Sequence, residues 1–127
     1  MAKVLISLGA NTPDKHSILQ HTIEAIGSMW HISAQTPIYD TPAEGSIASV
    51  PYANALVVTT LDEPYERVRN KFKQWECNAG RTPEQKKSGI VPLDIDIIMW
   101  DDTILKERDM QMNYMKTGLQ LLNDASI

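Results

Sequence analysis

The sequence predicts an α+β domain in which helices pack on one face of an antiparallel sheet. Two segments have apolar residues at the three- and four-residue spacing of an amphipathic helix. Four shorter segments are rich in apolar residues and end at turn-forming residues, as strands do. Along the 127 residues the order is strand, helix, strand, strand, helix, strand, which is that of a ferredoxin-like β-α-β-β-α-β core. We found no repeat or linker, so we expect residues 1–127 to form a single domain.

The first strand and helix are predicted in the first 29 residues. Lys3 to Gly9 is an apolar run closed by a turn, which indicates a buried strand. A helix is then expected to start at Thr12, Pro13 and Asp14, because these residues suit a cap, a first helical position and a positive helix end. Apolar residues continue at helical spacing to about Met29. The apolar face of this helix must pack on the sheet.

The next two strands are predicted on either side of a loop. His31 to Tyr39 indicates a strand interrupted at Pro37, which fits only an edge or a bend because it has no amide proton. Residues 40–51 are rich in Pro, Gly and small polar residues and predict a loop. From Tyr52 the side chains are expected to alternate between two faces. One face carries Tyr52, Asn54, Leu56 and Val58, and the other carries Ala53, Ala55, Val57 and Thr59.

A second helix and a fourth strand complete the predicted core. Glu63 to Ala79 has an apolar stripe at helical spacing, and Gly80 is placed to end the helix. Residues 81–89 predict a loop, and Val91 to Trp100 predicts the fourth strand. Beyond Trp100 the periodicity weakens, so the sequence assigns no packing partner to the last residues.

Composition excludes several classes of protein. Hydrophobic residues make up 43% and charged residues 22% of the chain, which is too apolar for a disordered protein. Twelve basic against sixteen acidic residues give a net charge of −4, so we expect no nucleic-acid partner. The single cysteine, Cys77, cannot form an internal disulfide and suits the cytoplasm. Neither a secretory signal nor an apolar run of about 18 residues is found, so no membrane partner is expected.

Asp94 and Asp96 are the most informative pair. Residues two apart on a strand project from the same face with Cα atoms roughly 6.5–7 Å apart, close enough for two carboxylates to share or bracket hard cations. The alternative is a solvated polar face of a half-buried strand. Against it, Ile98 and Trp100 would continue that face as apolar residues. Magnesium held by such a pair commonly neutralises phosphate oxygens.

Other polar residues are weaker candidates when taken one at a time. Tyr52 and Asn54 share a strand face, where a ring can stack on a planar heterocycle and an amide can bond to it; an ordinary strand edge is the alternative. Thr41 and Pro42 lie in the preceding loop, where backbone groups can contact a ligand. The basic residues of the 81–89 loop could clamp a polyphosphate or simply be solvated. These are Arg81, Lys86 and Lys87.

The three histidines lack the spacing of a metal site or a catalytic triad, and we assign them structural or surface roles. They are His16, His21 and His31.

Five motifs follow one another along residues 3–108. They are Ile6-Ser7-Leu8-Gly9-Ala10-Asn11, Tyr39-Asp40-Thr41-Pro42-Ala43-Glu44-Gly45, Pro51-Tyr52-Ala53-Asn54-Ala55, Glu76 with Gly80-Arg81, and Leu93-Asp94-Ile95-Asp96-Ile97. In order and spacing they resemble the 6-hydroxymethyl-7,8-dihydropterin pyrophosphokinase family of folate biosynthesis. Each motif alone is modest, and the five in sequence are specific.

The resemblance implies transfer of a diphosphate group from ATP to the hydroxymethyl oxygen of the pterin, with release of AMP. It implies that Asp94 and Asp96 bind two magnesium ions and act in catalysis together with Arg81. Glu76, Arg81 and Lys87 would bind the nucleotide. The residues implied to bind the pterin are Thr41, Pro42, Tyr52 and Asn54. Small-molecule substrates are therefore the expected partners.

The chain also departs from the family's pattern. Residues 87–91 replace a segment that usually contains a tryptophan and an arginine, and Glu44 replaces an apolar residue of the pterin loop. Residues 112–118 lack a Pro-His motif and a following arginine, so the C-terminal part is expected to be truncated or divergent. Tyr114 is the candidate for the missing second aromatic of the pterin site. These departures keep two alternatives open: a catalytically impaired pterin-binding homologue, or a structural interaction domain.

Overall fold

The computed structural model describes residues 1–42 and 51–125, so the prediction for Glu44 lies outside the described residues, as do the side chains of Lys86 and Lys87. Within the described ranges, no helix has the length and apolarity needed to cross a membrane. The elements in chain order are β1 (Ala2–Ala10), α1 (Lys15–Met29), β2 (His31–Gln35), β3 (Tyr39–Thr41), β4 (Tyr52–Leu61), α2 (Tyr65–Asn78), α3 (Pro83–Lys87), β5 (Asp94–Trp100), β6 (Thr103–Ile104), α4 (Glu107–Met110) and α5 (Asn113–Ala125).

The strands form one antiparallel sheet with β1 at its centre. The strand order is β2-β4-β1-β5-β6. The short β3 pairs with the first residues of β4, and β2 pairs with later residues of the same strand. β1 pairs with β4 along its whole length and with β5 on its other side. Without the two short strands β3 and β6, this is the strand order of a ferredoxin-like core. The predicted fold class is therefore confirmed.

The main core lies between the sheet and the helices α1 and α2. Apolar side chains of β1, β4 and β5 meet Leu19 and Ile26 of α1 and Val68 and Phe72 of α2, and all four of these helix residues are buried. Phe72 makes an edge-to-face contact with Trp30, with ring centroids 5.8 Å apart. The apolar stripes predicted for both helices therefore face the sheet.

The two predicted helices pack on one face of the sheet, as expected, whereas α5, to which the sequence assigned no packing partner, covers the opposite face. Met115 of α5 is fully buried against Leu56, Val58 and Ile98. Gly118 allows this close approach, because a Cβ atom there would lie 2.6 Å from Cδ1 of Leu56. Both faces of β4 are consequently buried, as the near-continuous apolar run of this strand requires.

A β-bulge in β5 changes which side chains share a face. Ile97 pairs with Ile6, but Met99 rather than Ile98 pairs with Leu5, so Ile98 is the extra residue. Ile98 and Met99 both pack under α5, and Trp100 is turned to the main core. The expectation that Trp100 continues the face of Asp94 and Asp96 is therefore wrong.

Several element boundaries also differ from the predictions. The predicted second strand is divided into β2 and β3, and β3 continues to Thr41, so the start of the predicted 40–51 loop is wrong. At Thr36 the side-chain hydroxyl, in place of the backbone carbonyl, accepts the Leu56 N–H at 3.0 Å, which interrupts the ladder just before Pro37. Helix α1 begins at Lys15 rather than at Pro13, and no side-chain cap bond is formed at Asp14. The predicted 81–89 loop contains α3. Gly80 follows α2 with a φ of 98°, which confirms its role in ending that helix.

Candidate active site

The polar residues of β4 and β5 face each other across the central strand. Gly9 of β1 pairs with Asn54 on one side and with Asp94 on the other. Two residues earlier in β1, Ser7 pairs with Asp96. Since neighbouring strands lie about 4.8 Å apart, Asn54 and Asp94 are separated by roughly 10 Å at their Cα atoms. Because Ser7 and Gly9 of β1 are small, a trough remains over β1 between Asn54 and Asp94.

Arg81 joins the end of α2 to the start of β5. Its Nη1 atom donates to Asp94 Oδ1 at 2.7 Å and to Glu76 Oε2 at 2.9 Å. The same Glu76 oxygen accepts the backbone N–H of Ile95 at 2.8 Å. Burial raises the pKa of Glu76, and the Ile95 N–H and Arg81 oppose that shift. Glu76 therefore positions both the guanidinium and the strand that carries Asp94.

Asp96 is the most electrostatically strained carboxyl of the site. Burial, and then the charge of Asp94, raise the pKa of Asp96 to about 7. The nearest cation is Lys106, whose Nζ lies 4.0 Å from Asp96 Oδ1. Two close carboxylates whose negative charge is not fully compensated favour a bound cation.

The donor set fits magnesium completed by other oxygens. Magnesium is commonly bound by one or two carboxylates together with water and substrate phosphate oxygens, and Asp94 and Asp96 supply such a pair on one strand face. Within residues 1–42 and 51–125, no group of three or more His, Cys, Asp or Glu residues is arranged to hold a metal ion. The protein's own ligands to a metal at this site would thus be the two aspartates.

Asp94 and Asp96 lie between two cavities. The large cleft has a volume of about 540 Å³ and opens along α2 and β5. Basic side chains line it on the side of α2 and beside the aspartates: Arg69, Lys73, Arg81 and Lys106. The small pocket has a volume of about 210 Å³ and lies on the trough of β1, under α4 and the start of α5. Both aspartates line both cavities.

The small pocket gathers the residues predicted to bind a planar heterocycle. Thr41, Pro42, Tyr52 and Asn54 all line it. Asn54 Nδ2 donates to Thr41 Oγ1 at 2.5 Å, which fixes the orientation of the amide. Burial, and then the charge of Asp94, raise the pKa of Tyr52, so the phenol stays neutral beside the aspartates.

This pocket is completed by three residues from the part of the chain that follows β5. Asp109, Met112 and Tyr114 line it together with the predicted residues. Burial raises the pKa of Tyr114, while a hydrogen bond with Ser7 opposes that shift. Tyr39 donates its hydroxyl to the backbone carbonyl of Tyr114 at 2.8 Å, which holds the start of α5 against β3.

Sequence reasoning missed Lys106 and Asp109, and proposed Tyr114 only as a guess from resemblance. The first two follow β5 in a segment without clear periodicity, and they reach the site because the chain reverses at Asp101, whose φ is 54°. Of the predicted nucleotide residues, the structure brings Glu76 and Arg81 together, and Lys87 has no described side chain. His16 is exposed and pairs with Asp40 at 2.8 Å, in keeping with a surface role.

This α+β domain places two carboxylates between a basic cleft and a pocket lined by tyrosines. Such a layout is typical of an enzyme that transfers phosphoryl groups to a small molecule. Comparison with known proteins identifies the family. The family model described as 7,8-dihydro-6-hydroxymethylpterin-pyrophosphokinase (HPPK) matches residues 5–123. The chain belongs to this family, which confirms the family and the class of enzyme predicted from the sequence.

Individual relatives agree with the family match. The chain is 31% identical over 104 residues to the 2-amino-4-hydroxy-6-hydroxymethyldihydropteridine pyrophosphokinase of Porphyromonas gingivalis, covering 78% of this chain and 69% of that protein. It is 32% identical over 99 residues to the enzyme of that name from Mycobacterium leprae, covering 77% and 50%. For the Aquifex aeolicus enzyme of that name the identity is 26% over 108 residues, covering 85% and 67%. The chain thus spans between half and about two thirds of their lengths.

Proposed function

We propose that this protein transfers a diphosphate group from ATP to the hydroxymethyl oxygen of 6-hydroxymethyl-7,8-dihydropterin, releasing AMP, as a step of folate biosynthesis. The hydroxymethyl oxygen loses its proton to water and bonds to the β-phosphorus, and the bond from that phosphorus to the oxygen bridging the α-phosphate breaks, its electron pair leaving on AMP. The observation that carries the proposal is the position of Asp94 and Asp96, which line both cavities. The transferred group must sit where the two substrates meet.

The large cleft suits the nucleotide. Its volume of about 540 Å³ lies in the range of small-molecule sites, and its basic side chains match a polyphosphate. Arg81 is held by Glu76 next to Asp94, so its charge stays near the phosphate that is transferred. Contacts of Glu76 and Lys87 with the nucleotide remain predictions.

The small pocket suits the pterin. Asn54 can offer a donor and an acceptor to the edge of the ring, and Tyr52 and Tyr114 offer aromatic faces to its plane. Thr41 and Pro42 lie at its wall, where β3 ends beside Tyr52 of β4; their backbone contacts with the ligand remain predictions. Gly9 leaves room in the pocket, because a Cβ atom at this position would lie 3.4 Å from Asn54 Oδ1 and occupy part of the space.

Magnesium, which we propose binds at Asp94 and Asp96 as two ions, would neutralise phosphate oxygens and stabilise the charge that develops during transfer. The chain's own residues orient the two substrates. Positioning supplies much of the rate in phosphoryl transfer, since little covalent chemistry falls to the protein. We also propose a cytoplasmic location, for which the lone free Cys77 is the support.

A direct assay tests the function. Purified protein is mixed with ATP, magnesium and the hydroxymethyl dihydropterin, and AMP and pterin diphosphate are quantified. We expect the two products in equal amounts. If calorimetry showed pterin binding without binding of magnesium-ATP, and no product formed at high protein concentration, a pterin-binding homologue without catalysis would replace the proposal.

Tyr114→Ala is expected to raise the KM for the pterin about tenfold, because stacking of an aromatic ring on a nucleobase-like ring has an effect of about that size. The KM for ATP should change little, since Tyr114 lines only the small pocket of the two. Steady-state kinetics with each substrate varied in turn measure both constants.

Tyr114→Phe is the matched control, because it keeps the ring and removes only the hydroxyl. It should leave the pterin KM within about twofold of the original value. Equal losses in the two variants would show that the hydroxyl, rather than the ring, matters. Thermal melting of each variant separates a local effect from unfolding.

A further inference from the structure

Each proposed metal ligand has a basic side chain beside it. Arg81 contacts Asp94 at 2.7 Å, and Lys106 lies 4.0 Å from Asp96. The two cations differ in how they are held. Arg81 is also bonded to Glu76, whereas the described residues provide Lys106 with no ion pair other than that with Asp96.

The position of Lys106 allows its ammonium group to move. It lies between β6 and α4, its side chain is 50% exposed, and it lines the large cleft with Arg69 and Lys73. A nitrogen–oxygen distance of 4.0 Å is longer than a hydrogen bond, so the ammonium is attracted to Asp96 without being fixed by it. The flexible lysine stem can carry the ammonium to another anion in the cleft.

A divalent ion bound at Asp96 would compete with the ammonium of Lys106, because two cations so close together repel each other. The triphosphate of ATP would bring several negative oxygens into the large cleft, next to the displaced ammonium. The charge of Lys106 would therefore oppose binding of a metal ion alone and favour binding of the metal together with the nucleotide.

We infer that Lys106 is a nucleotide-binding residue of this enzyme, which neutralises Asp96 when the site is empty and moves to a phosphate of ATP when metal and nucleotide bind. The inference rests on the proposed function, because it requires Asp94 and Asp96 to hold metal. It assigns a phosphate contact to a residue outside the basic 81–89 loop.

Calorimetric titrations of Lys106→Met test the inference, because the two ligands should respond in opposite directions. Affinity for Mn²⁺ alone should rise about threefold, the scale of a partly exposed ion pair. Affinity for the magnesium complex of α,β-methylene-ATP, in which the scissile bond is replaced, should fall about tenfold through loss of a charge-assisted contact. A residue with only a structural role would weaken both.

Two further variants control the experiment. Lys106→Arg keeps the positive charge and should restore both affinities to within about twofold. Lys116→Met removes an exposed charge on α5 that lines neither cavity, and should change neither affinity. Thermal melting checks that each variant is folded.

The outcomes separate the inference from the proposed function. If the unaltered protein binds both ligands and Lys106→Met changes neither affinity, or lowers both, the inference is wrong while the proposed function stands. If the unaltered protein binds neither Mn²⁺ nor the magnesium–nucleotide complex, the proposed function is wrong and the inference falls with it.

Discussion

Asp96→Asn should lower the rate of diphosphate transfer by on the order of 10³-fold or more, because charge stabilisation by bound metal is worth several kcal/mol in the transition state. Asparagine keeps the size of the side chain but removes the negative charge that attracts the metal. Asp96 is placed to affect both substrates, since it lines both cavities. The rate is measured as release of AMP at saturating ATP and pterin.

The same variant should fold normally. Asp96 lies close to Asp94, and burial together with the charge of Asp94 disfavours its ionised form. Removing one of two neighbouring negative charges should therefore leave the melting temperature, measured without divalent ions, unchanged or higher. Asp102→Asn is the matched control, because Asp102 is exposed in the turn after β5 and lines neither cavity. A rate for Asp96→Asn equal to that of this control would refute the metal role.

Gly118→Ala should destabilise the protein by about 2 kcal/mol. The added methyl group would lie 2.6 and 2.8 Å from the side chain of Leu56 and would also clash with the hydroxyl of Tyr39. Overpacking a tight contact costs up to about 3 kcal/mol, and the better helix propensity of alanine returns about 1 kcal/mol. For a chain of this size, we expect the melting temperature to fall by about 8 °C.

The effect should extend to the small pocket, because α5 carries Tyr114 and the Tyr39 hydroxyl donates a hydrogen bond to the Tyr114 carbonyl. The pterin KM of Gly118→Ala should rise along with the loss of stability. Gly27→Ala makes the same chemical change in α1, where the new Cβ would lie 3.3 Å from only the tip of Ile32. Its melting temperature should be unchanged or up to about 4 °C higher, because alanine improves helix propensity by about 1 kcal/mol there without a comparable clash. Equal melting shifts in the two variants would contradict the packing of α5 described above.

The sequence was sufficient to predict features that depend on local periodicity. The two-residue period of a strand placed Asp94 on the same face as Asp96, and Tyr52 on the same face as Asn54. The helical spacing of α2 identified the buried face that carries Phe72. These predictions succeed because a regular backbone determines which side chains share a face.

Features that depend on distant parts of the chain could not be predicted in this way. The bulge at Ile98 is visible only when β5 is aligned with β1. Lys106 and Asp109 have no periodic pattern, and they reach the site through the reversal at Asp101. The packing of α5 on the second face depends on Gly118, whose role appears only beside Leu56 and Tyr39.

The central position of β1 determines which parts of the site can adapt to ligands. β1 is paired on both sides, so Ser7 and Gly9 lie on backbone that two neighbouring strands hold by hydrogen bonds. Part of the wall comes from peripheral segments: the end of β3, the chain around α4, and the first turn of α5. If the proposed substrates bind here, we expect the entropy cost of ordering to fall mainly on these peripheral segments, while the backbone of β1 is already ordered.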